Sequence, residues 1–130
     1  MNKLGKHVTI LVADYHGEIR EVVCEYLNRI QGVHVIAGAF NGFEVIAKVE
    51  QLRPDIVLID VGLPELNGIE TARIIKRRFA STKVYLATLF DETLYEMEAH
   101  RVSADGVISK ANLKHGLSSL MRIAQHQASR

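Results

Sequence analysis

Ile56-Val57-Leu58-Ile59 is the segment that leaves this chain the fewest folds to choose from. The run is wholly apolar and rich in β-branched residues, with Pro54 before it and Gly62-x-Pro64 after it. It is too short for a helix and lacks the alternation of a half-exposed strand. A strand with no polar side must be covered on both faces, as happens in parallel sheets sandwiched between layers of helices. The run ends on Asp60. Open α/β sheets bind ligands beyond the carboxyl ends of their strands. On this stretch alone, Asp60 reads equally as such an acid or as the solvated end of a strand.

The rest of the sequence supplies the layers. Val8 to Val12 is apolar and closes at Ala13-Asp14; Val33 to Phe40 closes at Asn41-Gly42. Lys83 to Thr88 and Gly106 to Ser109 complete the strand-like runs, the last followed by Lys110. Between them apolar residues recur at steps of three and four, the mark of a helix laid on a sheet. Ile19, Val22, Val23, Tyr26, Leu27 and Ile30 predict a helix from about Gly17 to Gln31; Phe43, Ile46, Ala47 and Val49 predict a second that stops before Pro54. Ile69, Ala72, Ile75 and Phe79 form a third stripe. Asp91 caps a fourth helix carrying Leu94, Met97 and Val102, the most polar of the set. Leu113, Leu117, Leu120, Met121 and Ala124 mark the last. Strands and helices in strict alternation predict an α/β, flavodoxin-like doubly wound (βα)5 three-layer sandwich with a parallel five-stranded sheet in the order 2-1-3-4-5.

Composition narrows the function classes. The chain has 130 residues, of which 48% are apolar and 24% charged, enough for one domain with its own core. The expected division is a tail over 1–6, a domain over 7–125 and a tail or linker start over 126–130. Cys24 is the single cysteine and has no partner for an internal disulfide. No apolar run reaches the roughly 20 residues that span a bilayer, and no signal-peptide core follows Met1-Asn2-Lys3-Leu4. The expectation is a cytoplasmic protein without membrane contact. A net charge of +1 gives no pull toward nucleic acid, and Lys76-Arg77-Arg78 sits where basic residues complement a helix carboxyl end. No direct nucleic-acid contact by this domain is expected.

In a parallel sheet all strand exits share one edge, so Asp14, Asp60, Thr88 and Lys110 are expected to meet there. The 2-1-3-4-5 order sets the first and third strands side by side, with Asp14 and Asp60 across the crevice from each other. Such a carboxylate pair, with a backbone carbonyl nearby, makes an oxygen site for Mg²⁺. Lys110 supplies a positive charge to a phosphoryl group, and the Thr88 hydroxyl a donor to its oxygens. The chemistry indicated is phosphoryl transfer to a carboxylate.

These residues together resemble a receiver domain of two-component response regulators. Ala13-Asp14-x-His16 with Arg20, Asp55 to Asp60 continuing through Leu63-Pro64 to Asn67-Gly68, then Thr88, then Gly106-x-x-x-Lys110, stand in the family's order and spacing across roughly residues 7 to 125. The Ala-Asp-x-His wording and a non-proline after Lys110 look most like the NarL-type branch. The resemblance implies that Asp60 is the phosphoacceptor, that Asp14, Asp60 and the Gly62 carbonyl hold Mg²⁺, and that Thr88 and Lys110 complete the site. It further implies a sensor histidine kinase as donor and a non-enzymatic signalling role. A DNA-binding output domain outside this chain and a homodimer through the face of helix 4, strand 5 and helix 5 also follow from it. Leu94, Met97, His115 and Leu117 are that face's candidate residues.

Three positions depart from the family pattern. Tyr15 stands where a second acid is usual, leaving two formal charges instead of three and predicting weaker Mg²⁺ binding. Leu89 follows the switch hydroxyl where a small residue is usual and is expected to narrow access to Asp60; Val107 replaces the usual aromatic of the fifth strand. The alternative is therefore a pseudo-receiver that keeps the fold and acts through protein contacts alone. A dehalogenase-type phosphatase wants an acid at position 62, and a flavin protein wants a hydroxyl- and glycine-rich loop after the first strand; Gly62 and Asp14-Tyr15-His16-Gly17-Glu18 supply neither. The six histidines, with no i,i+4 pair or cysteine neighbour, read as surface or interface residues.

Overall fold

All of Ile56–Asp60 is buried, as a strand without a polar face requires. This computed structural model describes the backbone of residues 7–128 and the side chains of 7–122. Strands β1 (Val8–Ala13), β2 (Val33–Ala39), β3 (Ile56–Asp60), β4 (Lys83–Thr88) and β5 (Gly106–Ser109) form one parallel sheet in the order β2-β1-β3-β4-β5. The register pairs Val12 with Leu58, Asp60 with Ala87 and Thr88 with Ser109, so the carboxyl ends of β3, β4 and β5 form one continuous edge with that of β1.

Helices α1 (Gly17–Asn28), α2 (Gly42–Leu52), α3 (Gly68–Arg78), α4 (Glu96–Arg101) and α5 (Leu113–Ala128) cover the two faces. One core joins Leu11, Val57, Ile59, Val84 and Leu86 to Val45 and Val49 of α2, Ala72 and Ile75 of α3 and Ala99 of α4. The other joins Ile10, Val12, Leu58 and Ile108 to Val23 and Leu27 of α1 and to Leu117, Leu120 and Met121 of α5. Each fully buried Val, Leu or Ile contributes roughly 1.5–3 kcal/mol by leaving water, and β3 feeds both layers.

The helices differ from the sequence expectation in detail. On α2 the buried residues are Gly42, Val45 and Val49, while Phe43 is 60% exposed. The cause is the helix start: Asn41 Oδ1 accepts from Glu44 N at 2.8 Å, and Gly42 lies against the Leu66 carbonyl where no β-carbon fits. That contact turns Gly42 inward and Phe43 outward. Val22 of α1 likewise faces solvent. The fourth helix splits into a 3-10 turn, Glu92–Tyr95, capped by Asp91 as expected, followed by the short α4. Leu117, a candidate for an exposed partner face, is 1% exposed and packs in the core, because α5 presents it to the sheet; Leu94, Met97 and His115 of that candidate set are exposed. Residues 126–128 continue α5, whereas the expected amino-terminal tail, 1–6, and residues 129–130 lie outside the described residues. Among the described residues no helix is long and apolar enough to cross a membrane.

Candidate functional site

Strand alternation builds the site. Side chains two apart on a strand share a face, and Ile10, Val12, Ile56, Leu58 and Ile108 all belong to the layer under α1 and α5. Two residues beyond Val12, Leu58 and Ile108 stand Asp14, Asp60 and Lys110, which continue the same face at the carboxyl edge. Lys110 Nζ lies 2.6 Å from Asp14 Oδ2 and 3.0 Å from Asp60 Oδ1, and the three side chains are 5%, 5% and 9% exposed. Two buried carboxylates this close would repel; the ammonium between them supplies the pairing that buried charge demands. The trio keeps one formal negative charge.

Asp14 is fixed from several sides. Its Oδ1 accepts the His16 backbone N–H at 2.9 Å and stands 3.3 Å from His16 Nδ1. Its own N–H donates to the Ala39 carbonyl at 3.0 Å, and its carbonyl accepts from Arg20 Nη1 at 2.7 Å. Arg20 in turn lies along Gly38 and over the Phe40 ring. Asp60 is fixed through its backbone. The N–H that follows it, on Val61, donates to the Ala87 carbonyl, and Gly68 N–H donates to the Val61 carbonyl at 3.1 Å. A β-carbon on Gly68 would stand 2.1 Å from the Asp60 carbonyl oxygen, so only glycine lets α3 start this close to the strand.

Asp60 Oδ2 accepts no hydrogen bond among the described residues. It faces exposed Gly62, 3.7 Å from where a β-carbon there would stand. Inward of the trio the cavity lined by Val12, Leu58, Ala87 and Leu113 measures about 10 Å³, room for one water at most. A ligand must therefore reach Asp60 from the rim, on the Gly62 side. One donor atom each from Asp14, His16 and Asp60 lie within 4.8 Å of one another. Two carboxylates, one with an oxygen that accepts no hydrogen bond, beside an exposed stretch of backbone fit an oxygen-liganded Mg²⁺ completed by water.

Among the described residues, Thr88 makes no hydrogen bond to the carboxylate–lysine trio. Alternation groups it with Leu86, on the α2 and α3 side of the sheet, and its buried Oγ1 accepts the Phe90 N–H at 3.0 Å. Leu89 and Phe90 are 61% and 63% exposed and are absent from the lining of the small inward cavity. Tyr15 is also 61% exposed, edge-on to the His16 ring, and makes no hydrogen bond to the carboxylates among the described residues. Val107 packs against the α2/α3/α4 core. His16, read from the sequence as a surface or interface residue, is a further residue that the structure brings to Asp14. Its signal was the i,i+2 spacing from Asp14, which an Asx-type turn closes, rather than the helical i,i+4 spacing of zinc sites.

Residues 10–126 match the family model of the response regulator receiver domain. The chain belongs to that family. It is a receiver domain of the response regulators of two-component systems. Receiver domains bind Mg²⁺ at an acidic site, and this chain has a cluster of Asp14, His16 and Asp60 among its described residues. Among similar proteins, a transcriptional regulatory protein of Bacillus subtilis, YxjL, described as uncharacterized, is 32% identical over 124 residues, covering 95% of this chain and 56% of that protein. Response regulator GacA of Pseudomonas viridiflava is 31% identical over 103 residues, covering 79% of this chain and 48% of GacA. The chain thus spans about half the length of these curated relatives. Of solved structures, a LuxR-family two-component response regulator from Aurantimonas sp. SI85-9A1 superposes with a TM-score of 0.80 at 25% identity, covering 90% of this chain and 86% of that one. The response regulator domain of Thermotoga maritima CheB gives 0.81 at 26%, covering 92% and 96%.

Proposed function

We propose that Asp60 accepts a phosphoryl group from the phosphohistidine of a sensor histidine kinase, in a Mg²⁺-dependent reaction, and that the resulting aspartyl phosphate regulates an output domain or partner. The observation that carries this reading is the asymmetry of the Asp60 carboxylate: Oδ1 is paired with Lys110, while buried Oδ2 accepts no hydrogen bond and faces the rim. A lone pair of Oδ2 attacks phosphorus. The phosphorus–nitrogen bond to the donor imidazole breaks, its electron pair stays on the ring nitrogen, and the imidazole takes up a proton. Lys110, already positioned between the carboxylates, balances charge on the phosphoryl oxygens. Asp14, Asp60 and the Gly62 carbonyl would hold Mg²⁺, which when bound neutralises further charge on the transferring group. Thr88 joins by releasing the Phe90 N–H and donating its hydroxyl to a phosphoryl oxygen.

The relatives' greater length and their description as transcriptional regulators support a NarL-type arrangement, with a DNA-binding output domain following the receiver. Exposed Leu94 and Met97 on the α4 side support a homodimer or partner contact through the α4, β5 and α5 face. The receiver itself acts as a non-enzymatic cytoplasmic signalling module, without membrane or nucleic-acid contact of its own.

Incubation with acetyl phosphate and Mg²⁺, followed by intact mass measurement, tests the proposal. The expected result is an adduct of one phosphoryl group that Asp60→Asn abolishes. A second reading, a pseudo-receiver acting through protein contacts alone, is favoured by the missing carboxylate at Tyr15. It gains if no adduct forms with acetyl phosphate or beryllofluoride at any Mg²⁺ concentration.

A further inference from the structure

We infer that His7 and His34 form a bidentate imidazole site for a tetragonal first-row cation of the Cu²⁺ class, at the pole of the sheet opposite Asp60. Both side chains are exposed, and the fold brings them together from 27 residues apart. The parallel register makes the pair: Val8 pairs with Val33 and Thr9 with His34, so the residue that enters β1 comes level with the start of β2. His34 Nε2 lies 2.9 Å from His7 Nδ1, with ring centroids 4.4 Å apart and ring planes crossing at 75°. The backbone beside each ring is pinned. Val8 N–H donates to the Gly32 carbonyl at 2.8 Å, and Val35 N–H donates to Asn28 Oδ1 at 3.0 Å. The two nitrogens therefore converge from a fixed frame, as a preorganised ligand pair must.

The spacing selects the cation. Two nitrogens at about 2.0–2.1 Å from one metal stand roughly 2.9 Å apart when they subtend a right angle, and roughly 3.3 Å apart in a tetrahedron. The pair has the shorter spacing, that of neighbouring positions in a square-planar or tetragonal shell. With nitrogen donors this is the preference of Cu²⁺ and Ni²⁺, of which Cu²⁺ binds the tighter. Mg²⁺, which demands oxygen ligands, is not served by two imidazoles. Ligation needs a lone pair from each ring. The imidazole that donates in the pair moves its bridging proton to its other ring nitrogen through water, and each ring turns about Cβ–Cγ to aim its free nitrogen at the metal; no proton is gained or lost overall. No third His, Cys, Asp or Glu donor joins the pair among the described residues, so water fills the remaining positions. A hydrogen bond between the rings has the same spacing, and metal titration separates the two arrangements.

The test is calorimetric titration of the full, untagged chain with Cu²⁺ in excess Mg²⁺, alongside electron paramagnetic resonance of the Cu²⁺ form. Wild type is expected to bind Cu²⁺ at this site and to give a tetragonal spectrum split by imidazole nitrogen. His7→Ala and His34→Ala should each weaken that binding roughly tenfold or more, whereas His115→Ala, at an exposed histidine of α5, should change it less than about twofold. His34→Gln keeps a polar side chain on the edge strand without the imidazole and should lose binding as His34→Ala does. Unchanged unfolding midpoints of the metal-free variants would show that a ligand, not the fold, was removed. Cu²⁺ binding that His7→Ala and His34→Ala leave intact, or that His115→Ala weakens equally, overturns the inference. So does binding that survives His34→Ala and is lost in Asp60→Asn, which would place the metal in the acidic pocket. None of these outcomes bears on phosphoryl transfer to Asp60, which is read separately by the acetyl phosphate adduct.

Discussion

The two halves of the carboxyl edge are built to different standards. At the exits of β1, β3 and β5, Asp14, Asp60 and Lys110 are nearly closed to solvent and paired with one another, and the backbone around them is bonded to neighbouring strands and turns. At the exit of β4 the chain leaves the sheet with Leu89 and Phe90 exposed and passes through a 3-10 turn into a helix of six residues, on which Met97 is 83% exposed. Only Ala99 of α4 is buried. Regions with few buried apolar contacts open first. The charged half is therefore a fixed reference, and the β4–α4 half is the part free to answer a change made there.

Substitutions should expose this inequality. The largest effect is expected from Lys110→Ala, which leaves two buried carboxylates facing each other without their cation. A loss of about 3–5 kcal/mol in urea unfolding is expected, partly restored by a divalent ion that replaces the ammonium; an unchanged midpoint would mean that the pair is not what holds this half together. Next comes Gly68→Ala, whose β-carbon cannot share space with the Asp60 carbonyl and should cost about 2 kcal/mol or more. Gly62→Ala, on the same loop but in ordinary van der Waals contact, should stay within about 0.5 kcal/mol. Equal effects of the two glycine changes would show that the close approach of α3 is not a constraint.

Smaller changes belong to the loose half. Thr88→Val removes the acceptor of the Phe90 N–H and should cost about 1 kcal/mol, seen chiefly as faster amide exchange over residues 90–95 with β3 amides unaffected. The smallest effect is one of pH. The Thr93 N–H and hydroxyl hold the Asp91 carboxyl below its usual range in the folded protein. Because the folded value is the lower one, the contribution is full above the unfolded value, near 4, and is lost as pH falls through the folded one. Amides of 92–95 should lose protection there in wild type, and Asp91→Asn should flatten that response without touching the carboxylate–lysine trio.

The same inequality separates what the sequence revealed from what it hid. Asp14, Asp60 and Lys110 were legible because strand direction alone brings exits to one edge, and the β-branched runs mark strand direction plainly. The order of the strands was that of the flavodoxin-like doubly wound fold, which strict alternation of strands and helices suggests. The direction of Leu89 was not legible, because side-chain direction after a strand end depends on the turn, and there the Phe90 N–H on the Thr88 hydroxyl shapes it. Phe43 was misread for a similar reason: the contact of Gly42 with Leu66, distant in sequence, rotates α2. His16 was named in the family signature and read only as a surface or interface histidine, because its approach to Asp14 is made by a turn of three residues, outside the periodicities by which helices and strands are recognised.

The even count that joins each functional residue to its core neighbour also limits how this chain can change length. Val12 to Asp14, Leu58 to Asp60 and Ile108 to Lys110 are steps of two. Inserting one residue into any of these steps would send the charged group to the opposite layer and bring an apolar side chain to the rim, whereas a pair of residues would preserve the facing. Single-residue insertions and deletions should therefore be tolerated in the α4 segment and refused at these three exits, a grammar of parity that a library of length variants would read directly.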